Sequence, residues 1–421
     1  MMGPIETWQT ADKNFPQIGE LTVGSKNLGE EYRINTPVIS YGFDSTFLDY
    51  FGAAGVRAVD QAMGMLNALP AVSQATPGLV EFPLEATGIN FQAQTLGVLD
   101  MKSQALGFMV EHLGLLGETH VFDLRLRNAL TGGGFSYVTV IRNFDPVTLL
   151  PSKYVNGVLY TFEIQEFAGG NVGDAVERPV DPAAITMTAV ASFKTGAGGG
   201  PGGYFTSLTR DDFGGLRYMY RANNFNTETL PAGSSVVSSS PWSIISGTST
   251  NLVVTNAFFL SGGVEKITFV KLKFDSLLGA GFIGFTNSFS SQVITNSRVT
   301  IQRVQRIVTQ PDVVFAAADV TGTGPGVFSA LRSDPIFSGV PASLVGGQVR
   351  AGPGTIAPGP KVVTFNTVGP FAFNSTPSFL DESTSFSGFV WGSFDGSTND
   401  PVIFPSGTSI RQLESQVLSA P

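Results

Sequence analysis

The chain has 421 residues, no cysteine, only two histidines and a net charge of −9. Charged residues make up 14% of it, against about 25% in an average soluble protein. Catalysis and metal binding near neutral pH depend most on His, Cys and clustered carboxylates. The composition therefore disfavours an enzyme, and it predicts neither catalytic residues nor a cofactor. Without cysteine, disulfides and thiolate metal sites are excluded.

The negative charge is concentrated in the first part of the chain. Residues 1–228 contain 14 Lys and Arg against 23 Asp and Glu, whereas residues 229–421 contain ten of each. This shift and the Pro- and Ser-rich run at 231–243 predict a linker at 229–245 between two domains. Neither part is basic, so nucleic acid is not an expected partner. No apolar run reaches the roughly 18–20 residues of a membrane span, and no signal-peptide pattern opens the chain.

The first elements are predicted from the spacing of apolar residues. Residues 1–38 show no clear period, which predicts an extended N-terminal arm. TPVISYGFD (36–44) then predicts a buried strand. Over residues 45–69 the apolar side chains recur at spacings of three and four, which predicts an amphipathic helix capped by Ser45 and stopped by Pro70.

The rest of residues 39–228 mixes helix and strand signals, which predicts an α+β domain. The spacing of apolar residues predicts a second helix at 100–118, and a short third helix lies within 209–224. Between them, turn signals separate strand-like runs that predict an antiparallel meander, at 120–128, 135–145 and 156–167.

Residues 246–421 show no helical period and predict an all-β domain. Short strand candidates alternate with Gly, Pro and Asn turns, a pattern typical of a β-sandwich or a jelly-roll-like fold. One candidate strand places apolar residues in two registers, so we expect a bulge near Val270. Many of the 34 phenylalanines fall in strand-like runs and are expected in the core.

The candidate sites for chemistry each have a structural alternative. His112 and His120 lie on different predicted elements and match no zinc motif, so they are interpreted as satisfied polar or partly buried histidines. Asp211 and Asp212 follow Thr209 at a helix start, where capping is the favoured role. The glycine-rich run at 196–203 lacks the Lys of a phosphate-binding loop and predicts a flexible or close-packed loop.

A loose calcium-loop pattern occurs near the end of the chain. Its oxygen-bearing side chains alternate but lack the downstream glutamate of an EF-hand, so a polar turn is the alternative. The candidate ligands are Asp395, Ser397, Asn399 and Asp400. The three tryptophans, Trp8, Trp242 and Trp391, are too few to indicate a sugar-stacking platform.

Three strings resemble a group of uncharacterised secreted proteins of environmental bacteria. They are ISYGFDSTFLDYFGAAGVRAVDQAMGMLNALP, RNFDPVTLLPSKYVNGVLYTFEI and LTRDDFGGLRYMYRANN, and the resemblance covers about residues 28–228. It implies an exported protein and no particular activity. The Phe-Asp strand before a long helix and the segment from Asp211 to Tyr220 are also similar to the framing elements of metzincin-type peptidases. MVEHLGL (109–115) stands where their zinc motif would be, so the resemblance implies a scaffold without peptidase activity.

These observations predict a non-enzymatic extracellular or cell-surface structural subunit that assembles with itself into a filament, tube or surface layer. We expect the arm at 1–38 or the tail at 408–421 to add to a neighbouring subunit. The alternatives are a secreted module that binds polysaccharide or another surface component, and a jelly-roll shell protein.

Overall fold

The fold is given by a computed structural model of the chain. It describes residues 33–115, 121–141, 143–166, 173–193, 197–237, 251–252, 258–275, 281–295, 297–318, 331–333, 344–345, 348–349, 360–367, 390–394 and 401–405. Most of the predicted arm, the end of the predicted linker from residue 238, and the tail at 408–421 lie outside this part of the chain.

The described residues form helices and strands throughout. The helices are α1 (Ser45–Asn67), α2 (Phe91–Thr95), α3 (Met101–His112) and α4 (Arg210–Tyr220). The strands are β1 (Val38–Phe43), β2 (Thr87–Ile89), β3 (Val98–Asp100), β4 (Phe122–Ala129), β5 (Phe135–Ile141), β6 (Tyr154–Val155), β7 (Val158–Glu166), β8 (Gly173–Pro179), β9 (Gly203–Phe205), β10 (Asn226–Thr229), β11 (Ser234–Val237), β12 (Asn251–Leu252), β13 (Phe258–Ser261), β14 (Thr268–Lys271), β15 (Phe274–Asp275), β16 (Gly281–Phe282), β17 (Phe285–Thr295), β18 (Arg298–Val308), β19 (Val313–Ala318), β20 (Leu331–Ser333), β21 (Leu344–Val345), β22 (Gln348–Val349), β23 (Lys361–Asn366), β24 (Val390–Ser393) and β25 (Val402–Ile403).

A mainly parallel sheet forms the centre of the fold, in the order β14-β1-β19-β23-β20. β1 pairs in parallel with β14 on one side and with β19 on the other, and only β20 is antiparallel. Both neighbours of β1 come from beyond the linker predicted at 229–245. That predicted boundary therefore does not divide the core, because one sheet takes strands from both sides of it.

The helix α1 packs on this sheet and separates it from α3. Its N-cap is Asp44, whose carboxylate accepts the Phe47 N–H at 2.9 Å, so the predicted cap at Ser45 is wrong by one residue. Within α1, Gly52 adopts φ 56° and kinks the helix. In α3 nearly every side chain is buried, which makes it the central helix of the core.

Phenylalanine rings fill the space between α1 and the sheet, as the sequence predicts. The Phe47 ring lies 4.9 Å from that of Phe43 and 5.8 Å from that of Phe365. The same buried cluster includes Trp391 and Phe404 near the end of the chain. A single core therefore joins residues that are more than 300 positions apart.

Two small antiparallel sheets lie between α3 and α4 in the chain. β4 pairs with β5, and β7 pairs with β6 and β8. All three predicted strands are present, but the third does not extend the β4–β5 hairpin, so the predicted meander is wrong in its pairing. A separate apolar cluster that includes Phe122, Leu124 and Tyr160 fills the space around these sheets.

A six-stranded antiparallel sheet follows, in the order β10-β13-β17-β18-β11-β12. The mixed helix and strand content agrees with the α+β prediction, but an all-β sandwich after residue 246 is not confirmed. Strands of that region are divided between this sheet and the parallel one. Instead of a bulge near Val270, the chain ends β14 at Lys271 and begins β15 at Phe274, which pairs with β16.

Candidate functional site

Of the two histidines, His112 lies within the described residues and is part of the core. His112 lies in the last turn of α3 and is 3% exposed. His120 lies outside the described residues, so the geometry of the pair is not defined. Among the described residues, no three His, Asp or Glu side chains form a group that could hold a metal ion.

Asp212 performs the capping role predicted from the sequence. Thr209 is the N-cap of α4 and forms a reciprocal capping box with Asp212. The buried Asp212 carboxylate also accepts the N–H groups of Val190 and Ala191, each at 2.9 Å. Burial raises its pKa above the ordinary value for Asp, against these hydrogen bonds. The capping interpretation is confirmed, and the carboxylate also fixes the segment before residue 193.

A second buried carboxylate, Asp100, was not singled out from the sequence. It caps α3 by accepting the Ser103 N–H at 3.1 Å, and its other oxygen accepts the Phe394 N–H at 3.1 Å. Burial raises the pKa of this carboxyl group. The signal available in the sequence was an Asp three residues before a Ser at a helix start. Asp100 thus connects α3 with the end of the chain.

The glycine-rich run is a close-packed loop where it is described, from residue 197 onwards. A Cβ on Gly198 would lie 2.5 Å from the Phe205 ring, and one on Gly199 would lie 1.7 Å from the Phe193 carbonyl oxygen. Because these glycines have no side chain, the backbone lies close to buried aromatic residues. This agrees with the close-packed loop, one of the two alternatives that the sequence predicted.

The remaining candidates give no ligand site among the described residues. The calcium-loop residues Asp395, Ser397, Asn399 and Asp400 lie outside that part of the chain. Trp391 is 1% exposed and packs in the core, so it cannot stack on a sugar from the surface. A shallow apolar cleft lies between the end of α1, α4 and the segment 264–269. Its charged lining residues are Glu265 and Lys266.

The long hairpin of β17 and β18 exposes several apolar side chains on one face. Each strand has eleven residues, paired from Phe285↔Val308 to Thr295↔Arg298. On the outer face of β18, Val299 is 58% exposed, Ile301 74% and Ile307 57%. Leu260 of β13, Ile294 of β17 and Val299 lie in one cross-strand row on this face. An apolar row on a sheet surface is a common feature of protein interfaces.

The inner face of the hairpin is anchored to the parallel sheet through an ion pair between buried Arg306 and partly buried Asp312. The Arg306 guanidinium binds both carboxylate oxygens of Asp312 and also donates to the Ala232 and Val38 carbonyl oxygens. Asp312 in turn accepts the N–H and the hydroxyl of Ser40, each at 2.8 Å. These hydrogen bonds connect the base of the hairpin to β1 and to the residue before β19.

A second exposed row crosses the β6-β7-β8 sheet. Tyr154 is opposite Leu159, whose carbonyl oxygen accepts the Val180 N–H at 2.8 Å. Tyr154 and Val180 are each 53% exposed. The chain thus presents apolar rows on two different sheets.

None of the described helices is long and apolar enough to cross a membrane. Comparison of the chain with models of protein families, with curated proteins and with solved structures gives no match in any of the three.

Proposed function

We propose that the chain is a non-enzymatic structural subunit, extracellular or on the cell surface, that assembles with itself into a filament, tube or layer. The observation that carries this proposal is the outer face of the β17–β18 hairpin. It exposes Val299, Ile301 and Ile307 on a strand that contains no acidic residue, in a chain with few charges overall. Such a surface favours association because its apolar side chains leave water when it is covered, while Arg303 on the same face needs a polar partner there.

The buried polar groups of the fold support a structural role. Asp100 and Asp212 cap helices, and Asp312 neutralises Arg306. Each of these carboxylates is used to hold two segments of the chain together. The proposal of an exported location rests on the resemblance of residues 28–228, in the sequence alone, to secreted proteins of environmental bacteria.

The test measures the mass of the purified full-length chain over a range of concentrations, by sedimentation velocity, together with negative-stain microscopy. We expect species larger than one chain whose fraction rises with concentration, and extended or sheet-like particles. Closed particles would favour a shell protein instead. A chain that remains monomeric at about 100 µM, well above the dissociation constants of ordinary assemblies, would refute the proposal.

A further inference from the structure

The turn between β6 and β7 consists of Asn156 and Gly157. Val155 pairs with Val158, so only these two residues connect the strands. Both have positive φ, 46° for Asn156 and 83° for Gly157, as in the type I′ turn of tight hairpins. Glycine adopts this conformation freely, and among residues with a side chain asparagine is one of those that adopt it best. The turn therefore restricts position 156 to few residue types.

The Asn156 side chain also connects this turn to the start of α4. Its amide oxygen accepts the Asp211 N–H at 3.1 Å. Its amide nitrogen donates to the Thr209 hydroxyl oxygen at 3.1 Å and to the Thr188 hydroxyl oxygen at 3.2 Å. Three hydrogen bonds thus fix the amide group of Asn156 to two other segments of the chain.

Both hydroxyl groups need a donor at position 156, because their own protons are used elsewhere. The Thr209 hydroxyl donates to the Asp212 carboxylate at 2.7 Å, and the Thr188 hydroxyl donates to the Leu84 carbonyl oxygen at 3.0 Å. An amide can donate to both oxygens and still accept the Asp211 N–H, whereas a carboxylate can only accept. Aspartate and glycine would fit the turn but not these contacts. Asparagine meets both requirements.

An asparagine followed by a glycine is a chemically reactive pair. The side-chain amide carbon of asparagine is an electrophile, and the backbone nitrogen of the next residue can attack it. A glycine at that next position has no Cβ to hinder the approach. Gly157 is exposed and Asn156 is partly exposed, so water has access to the turn. The fold therefore requires a reactive pair at a place that solvent reaches.

We propose that Asn156 and Gly157 form a self-modification site that reacts when the turn between β6 and β7 opens. The Gly157 nitrogen forms a bond to Cγ of Asn156, the bond from Cγ to the amide nitrogen breaks, and that nitrogen leaves as ammonia with the proton of the Gly157 N–H. Water then opens the cyclic imide at either carbonyl carbon, which gives aspartate or isoaspartate at position 156. The inference is independent of self-assembly, because the reaction takes place within one chain.

The hydrogen bonds of Asn156 protect it in the folded chain. Ring closure moves Cγ onto the Gly157 nitrogen and removes the amide nitrogen, so the side chain must first leave Asp211, Thr209 and Thr188. The reaction therefore depends on local opening of the turn, and the bonds that favour the closed turn make this opening rare.

The product can no longer hold the start of α4. The new carboxylate has no proton to donate to the hydroxyl groups of Thr188 and Thr209. It is also separated from the buried Asp212 carboxylate by the Thr209 hydroxyl alone, and the two negative charges repel. The reaction therefore makes the opening of the turn irreversible.

The first test measures where and how fast the chain loses ammonia. The purified chain is incubated folded and, in parallel, unfolded in guanidinium chloride. Tandem mass spectrometry of tryptic peptides then quantifies aspartate and isoaspartate at position 156. We expect the reaction at Asn156 in both samples, with a rate at least about 10-fold lower in the folded chain. No reaction at Asn156 in the unfolded chain, or equal rates in the two samples, would overturn the proposal.

Thr188→Val tests whether the hydrogen bonds of Asn156 control the rate. It removes one acceptor of the amide and keeps the shape of the side chain, so the rate in the folded chain should rise about 5-fold. Thr206→Val is the matched control, because the Thr206 hydroxyl also donates to a backbone carbonyl oxygen but is bonded to Ala86, at 3.0 Å. Its rate should stay within about 2-fold of that of the unaltered chain. Circular dichroism verifies that both variants are folded, and equal rates in the two would show that these bonds do not protect Asn156.

Asn156→Asp reproduces one product and tests its effect on α4. Hydrogen exchange of backbone amides, followed by mass spectrometry, should be about 10-fold faster in peptides that cover 209–213, where the contacts to position 156 are lost. Exchange over 217–221, at the other end of α4, is the internal control and should change by less than about 2-fold. Unchanged exchange over 209–213 would contradict the release of the start of α4.

Discussion

The close approach of α3 to the turn at Val190–Ser192 gives a sharp prediction for Gly107. A Cβ built on Gly107 would lie 2.2 Å from Cγ and 2.5 Å from Cδ1 of the Phe193 ring. That ring is 1% exposed and packs edge-on against Phe108, so it has little room to move. Overpacking of this kind costs about 1–3 kcal/mol, and the short distances place Gly107→Ala near the upper end.

The intrinsic preference of alanine for helix offsets part of that cost. Alanine is favoured over glycine by about 1 kcal/mol in a helix interior, so Gly107→Ala should lower the free energy of unfolding by about 2 kcal/mol. Gly64 in α1 is the matched control, since it is exposed and a Cβ there meets nothing within 4 Å. Gly64→Ala should raise the free energy of unfolding by about 0.5–1 kcal/mol.

Urea unfolding, followed by the fluorescence of buried Trp391 and by circular dichroism, measures both variants. The midpoints should move in opposite directions. A further variant, Gly107→Ala with Phe193→Leu, should be less destabilised than the sum of its single changes, because the smaller side chain relieves the contact. A Gly107→Ala midpoint at or above that of the unaltered chain would refute the close packing of α3 on Phe193.

Three further predictions test other parts of the fold. Arg306→Met should lower the free energy of unfolding by about 2–4 kcal/mol because it leaves the Asp312 carboxylate without its cation, and adding Asp312→Asn should recover part of the loss in the same urea assay. Gly52→Ala should cost about 1–3 kcal/mol despite open space around it, since φ of 56° strains any residue with a Cβ, and an unchanged thermal midpoint would contradict the kink. Burial and the hydrogen bond to Asp60 raise the pKa of Tyr41, so its hydroxyl stays protonated in the folded state. The unfolded chain ionises Tyr41 above about pH 10, so the folded state loses stability as the pH rises past that value. Tyr41→Phe should lose about 1 kcal/mol at pH 7 and show a shallower decline of the thermal midpoint above pH 10 or so.

The local elements were predictable because their signals lie within a few residues of each other. The apolar spacing of three and four identified α1 and α3, and the Thr-x-x-Asp pattern at Thr209 identified the start of α4. The N-cap of α1 was assigned to Ser45 because Ser and Asp44 are both good caps and the sequence contains them side by side. The backbone conformation at the start of the helix determines whether the Asp44 carboxylate or the Ser45 hydroxyl faces the Phe47 N–H. The sequence does not show that conformation.

The parallel sheet was not predictable, because its pairing depends on contacts between distant parts of the chain. β1 lies 225 or more residues before both of its neighbours, and nothing in a single sequence records such a pairing. The change of net charge near residue 229 was therefore interpreted as a domain boundary. Charge describes the composition of the surface, whereas the boundary of a domain depends on which strands share a core.

Growth into a filament places a requirement on the contacts between copies of the chain. A two-fold contact closes at a dimer, so extended growth needs a second, different contact. The row formed by Tyr154, Leu159 and Val180 on another sheet is the candidate for it. Val180→Lys should then stop assembly at two chains, as measured by sedimentation velocity. If Val180→Lys assembles beyond the dimer as the unaltered chain does, the second contact lies elsewhere on the surface.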